Sequence, residues 1–129
     1  MSIPSLGLGQ AVVPGGQQTI DRGVVTHYSG PGWRPPVAAG APGTYWLAAH
    51  HSTHGAPFAA LPNIKVGALI LIDAVGAPEI RYQVTSVETV GTTASYSTVY
   101  GPDSTTSRIL LQTCEGDAYR MLVHGIRVN

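Results

Sequence analysis

Sixteen glycines and ten prolines are spread along 129 residues, so few stretches run far without an interruption. Proline lacks a backbone donor and clashes with a preceding helical turn, and glycine inside a helix loses the most conformational freedom. Long helices are therefore disfavoured, and the apolar segments left between these residues have the length of strands. The chain is long enough for one domain around a single core, so residues 1–129 are expected to form one unit of short strands joined by turns.

Two such segments close the chain. Ser107 to Val128 reads SRILLQTCEGDAYRMLVHGIRV, two apolar runs joined by a short polar turn. Gly67 to Asp73 (GALILID) is a continuous apolar run, expected as a strand in the middle of the sheet. Thr44 to His50 reads as a buried strand rich in aromatic and aliphatic residues, and Val24 to Tyr28 as a shorter one. Ile80 to Val90 begins with alternation, which Val87 breaks, so a bulge is expected near Ser86. Ile3 to Val13 contributes one or two short strands.

Helical turns are expected at Gln17 to Ile20 and after Pro57, where Phe58 and Leu61 share a face. Ser29 to Gly43 and Gly91 to Thr106 read as loops, with Trp33 as a hydrophobic plug of the first. Together these predict an all-β barrel or sandwich with one or two short helices.

Composition narrows the function. Charged residues make up only 11%, and seven basic residues balance seven acidic ones. No basic patch exists to neutralise a phosphate backbone, so nucleic acid is not an expected partner. One cysteine rules out an intrachain disulfide and a thiolate-rich metal cluster. No apolar run reaches the roughly 18 residues needed to cross a bilayer, and MSIPSLGLGQ lacks the features of a signal peptide.

Three side chains stand out chemically. Cys114 ends the first closing run, after Thr113 and ahead of the turn-forming Glu115, Gly116 and Asp117. A free cysteine is most often a buried structural thiol, but this position lies at a rim, where a thiolate could react if cationic or backbone donors stabilised it. His50 and His51 are adjacent, so on a strand they point to opposite faces and at most one can serve Cys114. Arg120 opens the second run. It is either an ordinary surface arginine or a fixed guanidinium for an oxyanion. His50, His51 and His54 with no Cys, Asp or Glu within ten residues make a poor metal site, and no metal or cofactor is expected. His27 and His124 have no partner identifiable from sequence.

In this context the chain resembles the sortases, cysteine transpeptidases of Gram-positive cell surfaces. Leu111-Gln112-Thr113-Cys114 resembles the family's TLxTC motif, with Leu110 in place of the leading threonine. Arg120 falls where the family has its arginine. LAAHHS resembles the histidine segment and selects His50, with His51 where an arginine is common. PFAALPNIKVGALILI, IPSLGL and RGVVTHYSGP resemble further family segments in the same order, although Ala68 stands where an aspartate is frequent.

The resemblance, nearest to the class E/F-like actinobacterial type, implies an eight-stranded β-barrel without cofactor. It also implies Cys114, His50 and Arg120 as catalytic residues acting on an LPxTG- or LAxTG-type sorting-signal peptide. The acyl group would pass to an amine acceptor, a peptidoglycan precursor or a pilin lysine. The expected location is the extracellular face of the membrane or the cell wall, for a catalytic domain whose anchor is trimmed or absent. A hydrolase on the same barrel and a non-enzymatic β-barrel binding module are the alternatives.

Overall fold

The computed structural model describes residues 1–29, 37–51, 55–73, 76–91, 105–115 and 119–129, with Cys114 and Glu115 described by backbone alone. Expectations for Trp33, His54, most of the loop ending at Thr106 and the turn after Glu115 lie outside the described residues.

Among the described residues, nine strands and one short α-helix follow in chain order: β1 (Ser2–Ile3), β2 (Leu8–Gly9), β3 (Val12–Gly15), α1 (Gln17–Asp21), β4 (Val25–Tyr28), β5 (Gly43–Ala48), β6 (Leu69–Ile72), β7 (Ile80–Gly91), β8 (Ser107–Glu115) and β9 (Tyr119–Arg127). They form one sheet in the order β2-β1-β6-β7-β9-β8-β5-β4-β3. Two 3₁₀ turns, Pro4–Leu6 and Leu61–Asn63, complete the described elements.

The sheet curls until its edges approach. Only Gln10 and Ala11 separate β2, on one edge, from β3, on the other. Met1 and Gln10 exchange backbone hydrogen bonds that extend the β1–β2 hairpin by one pair. Inside lie Ile3, Val25, Tyr45, Leu47, Ile70, Tyr82, Val84, Ile109, Leu111, Met121 and Val123 from strands across the sheet, joined by Phe58 and Leu61 from the segment between β5 and β6. Burial of these apolar side chains, each contributing roughly 1.5–3 kcal/mol, is the main force closing the barrel.

The architecture is the expected all-β barrel, with nine strands where eight were expected. The extra strand comes from the N-terminus. Pro4 starts a 3₁₀ turn and Gly7 takes φ 63°, so the chain doubles back into the β1–β2 hairpin before β3 begins. β6 is not central: it lies third from the β2 edge, flanked by β7 and the two-residue β1. Its apolar run reflects an interior face of Ile70 and Ile72, while Leu69 stays 38% exposed.

The other local expectations are met where they are described. α1 covers the expected helical turn, and Phe58 and Leu61 are both fully buried. The β7–β9 register slips between Val84 and Ser86, at the expected bulge.

Candidate functional site

Two-residue periodicity splits β5, β8 and β9 between two faces. Tyr45, Leu47, Ile109, Leu111, Met121 and Val123 enter the main core. Trp46, Leu110 and Leu122 form a second cluster on the opposite face, with Tyr28 and Val90 packed against it. The Tyr28 and Trp46 rings lie 4.6 Å apart at 52°. Beside them is a hollow of about 100 Å³ lined by Gln17, Ile20, Tyr28, Trp46, Ala48, Gln112 and Arg120.

Strand register brings the three candidate residues to one end of this face. β8 and β9 are antiparallel, and Cys114 and Arg120 are direct partners in their ladder. β5 runs parallel to β8 with Ala48 opposite Gln112, and the Ala49 amide continues the ladder to the Gln112 carbonyl. His50 follows two residues after the last β5 pair, as Cys114 follows two after Gln112. Position 114 also has the parity of Leu110 and Gln112. Arg120 is half-buried at the hollow.

His50 is held from several directions. The Phe58 amide donates to its carbonyl at 3.0 Å, tying it to a fully buried aromatic. Its Nε2 lies 2.8 Å from Asp21 Oδ1, with the imidazole 20% and the carboxylate 46% exposed. Gln17 Nε2, one helical turn earlier, donates to the same oxygen at 3.0 Å.

Sequence reading missed Asp21, seeing it only as a residue that follows the helical turn at Gln17 to Ile20. The available signal was a carboxylate closing a helix, at the end where the macrodipole disfavours negative charge. His124 also has a partner, Glu88 Oε1 at 2.8 Å across the β7–β9 ladder. The His27 ring packs against Tyr45 with centroids 4.6 Å apart and planes inclined by 52°. Among the described residues no group of three or more His, Cys, Asp or Glu could hold a metal ion.

The curled, mostly β sheet matches the fold of solved sortases. Sortase E1 from Streptomyces coelicolor, solved with a tripeptide in its active site, matches with TM-score 0.83 at 25% identity, covering 99% of this chain and 85% of that one. The pilus island 1 sortase C2 of Group B Streptococcus matches with TM-score 0.80 at 27% identity, covering 99% and 72%. Listeria monocytogenes sortase A shares the fold, with TM-score 0.79 at 23% identity over 98% and 83%.

The sortase domain model matches residues 1–128, and the chain belongs to the sortase family. Sortase SrtE1 of Streptomyces coelicolor is 29% identical over 75 residues, 57% of this chain, and the match spans 21% of that protein's length. A class E-like affiliation is consistent with these relatives.

Proposed function

We propose that this chain is a cysteine transpeptidase in which Cys114 is the nucleophile, His50 the proton carrier and Arg120 the oxyanion donor. The observation that carries the reading is the pairing of Cys114 with Arg120 across the β8–β9 ladder, in a chain of this family. The parallel β5 register running toward His50 supports it. The substrate is an LPxTG- or LAxTG-type sorting signal, consistent with the tripeptide in the Streptomyces sortase E1 active site. Apolar signal residues would enter the hollow beside Ile20, Tyr28, Trp46 and Ala48.

The Cys114 sulfur attacks the Thr–Gly carbonyl carbon, and the negative charge on its oxygen is met by the Arg120 guanidinium. One such donor is typically worth ~3 kcal/mol of transition-state stabilisation. The thiol proton, carried by His50, passes to the glycine nitrogen as the C–N bond breaks, because an amine leaves poorly as an anion. An acceptor amine then attacks the thioester, His50 takes its proton, and the sulfur departs. The acceptor is a peptidoglycan precursor or a pilin lysine, which places the reaction at the outer face of the membrane or in the cell wall.

The test incubates the protein with LPxTG and LAxTG peptides and a panel of amines, followed by mass spectrometry. Ligated product is expected, with none from Cys114→Ala. Cleavage without ligation under every amine would assign a hydrolase. Failure of a thiol-specific probe to label Cys114 in the folded protein would sink both.

A further inference from the structure

We infer that Asp21 is a positioning residue that fixes the tautomer of His50, keeping a proton on Nε2 and leaving Nδ1 to exchange protons with thiol and amine. The inference deepens the transpeptidase reading and rests on it.

At neutral pH an ionised carboxylate accepts hydrogen bonds and donates none. The 2.8 Å contact between Asp21 Oδ1 and His50 Nε2 is therefore an N–H donated by the imidazole. A neutral imidazole carries one ring proton, so the lone pair resides on Nδ1. That atom can take the thiol proton, pass it to the departing glycine nitrogen, and later take one from the acceptor amine. Nε2–H stays in place through both half-reactions.

Three features show that the contact is built into the fold. Gln17, one turn before Asp21 on α1, donates to the same Oδ1 at 3.0 Å and fixes its direction. The His50 backbone is held by the Phe58 amide, and the preceding Ala49 amide is bonded to β8, so the ring is aimed from a fixed base. Asp21 also closes a five-residue helix that has no acidic residue in its first turn. A carboxylate at that C-terminal end opposes the helix dipole, so local helix stability does not account for it.

α1, otherwise peripheral to the sheet, thereby becomes part of the catalytic machinery. Both Gln17 and Ile20 on it line the hollow beside Arg120. The elements that carry the sulfur, imidazole and guanidinium are strand ends and their flanks, and among the described residues α1 is the helix that reaches them.

The test has two arms. Imidazole ¹⁵N shifts on the labelled protein are expected to show His50 as the Nε2–H tautomer. In Asp21→Asn, whose amide can donate as well as accept, that preference is lost, and kcat falls 10- to 100-fold with KM for the signal peptide changed less than twofold. Asp21→Glu, which keeps an acceptor, recovers part of the loss. A wild-type His50 carrying its proton on Nδ1 would overturn the inference, as would an Asn variant with unchanged tautomer and kcat. Absence of any amine-ligated product from the wild type would instead refute the transpeptidase reading, while the shifts still decide the tautomer. Far-UV circular dichroism confirms that each variant folds, which the exposure of Asp21 favours.

Discussion

Tyr45 and His27 show how the barrel interior treats groups that can ionise. Burial pushes the Tyr45 phenol up to about 12, and the neighbouring Tyr82 phenol acts in the same direction. Burial also holds the His27 imidazole below its ordinary value, against an opposing hydrogen bond to the Val37 backbone. For Tyr45 the unfolded chain loses its proton near pH 10 and the folded chain only near 12, so stability drains away as pH rises through that window. For His27 the unfolded chain gains its proton first, so stability falls as pH drops below about 6.5 until the folded imidazole is protonated too. Urea midpoints measured from pH 4.5 to 12 are expected to fall at both ends. Tyr45→Phe should flatten the alkaline limb and His27→Phe the acid limb; equal slopes in wild type and variant would contradict the assignment. These perturbations were not readable in sequence, because the burial that produces them is set by strands distant in the chain. Cys114 was nameable beforehand as the single thiol of the chain, whereas His50 and Arg120 were selected from several histidines and arginines by neighbourhoods that resemble sortase segments. Asp21 sits 29 positions from His50, and only the seat of α1 on β3 and β4 reveals the contact.

Among the elements, α1 and β9 depend most on glycine. A Cβ on Gly15, at the end of β3, would lie 2.0 Å from Thr19 Oγ1 and 2.7 Å from its Cβ. Backbone-proximal atoms cannot swing aside, so Gly15→Ala should displace α1 from β3 and carry Asp21 away from His50. Turnover is expected to fall on the order of 10- to 100-fold, as it does when a catalytic group is misplaced by about 1 Å. Unchanged kcat would show that α1 does not need its present seat. Gly125 in β9 meets a harder obstacle. An added Cβ would come within 2.9 Å of the Gln83 carbonyl and 3.0 Å of Ile109 Cγ2. Gly125→Ala should cost about 1–3 kcal/mol through overpacking, visible as a lower Tm in calorimetry. Element identity was largely legible, since strand length, turn residues and the broken alternation near Ser86 are local properties. The position of β6 was not. A continuous apolar run resembles a strand buried on both faces, whereas here β6 lies toward an edge and uses only Ile70 and Ile72 for the core.

For the molecule as a whole, the end of the sheet that carries the candidate site is supported by its centre. β9 lies in the middle of the strand order, paired along its length with β7 and β8, while the β2 and β3 edges are short. Backbone amides of β8 and β9 should therefore exchange with solvent only on global opening, and those of β1 and β2 far sooner. Phe58 decides on which side of this division the His50 segment falls. It lies outside the described strands, where loops ordinarily open early. Yet its side chain is fully buried in the core, and its amide donates to the His50 carbonyl. The core and the candidate site thus share one residue, and local opening at His50 requires withdrawing an aromatic ring from the barrel. The Phe58 amide should accordingly exchange with a free energy close to that of the β8 and β9 amides. Phe58→Ala should lower unfolding free energy by about 3–5 kcal/mol, a large part of the roughly 5–15 kcal/mol a domain of this size possesses. It should also move exchange at residue 58 and loss of turnover to the same lower temperature. A Phe58 amide that exchanges as fast as those of β1 would separate the histidine from the core, and the barrel would then hold only two of the three candidate positions rigidly.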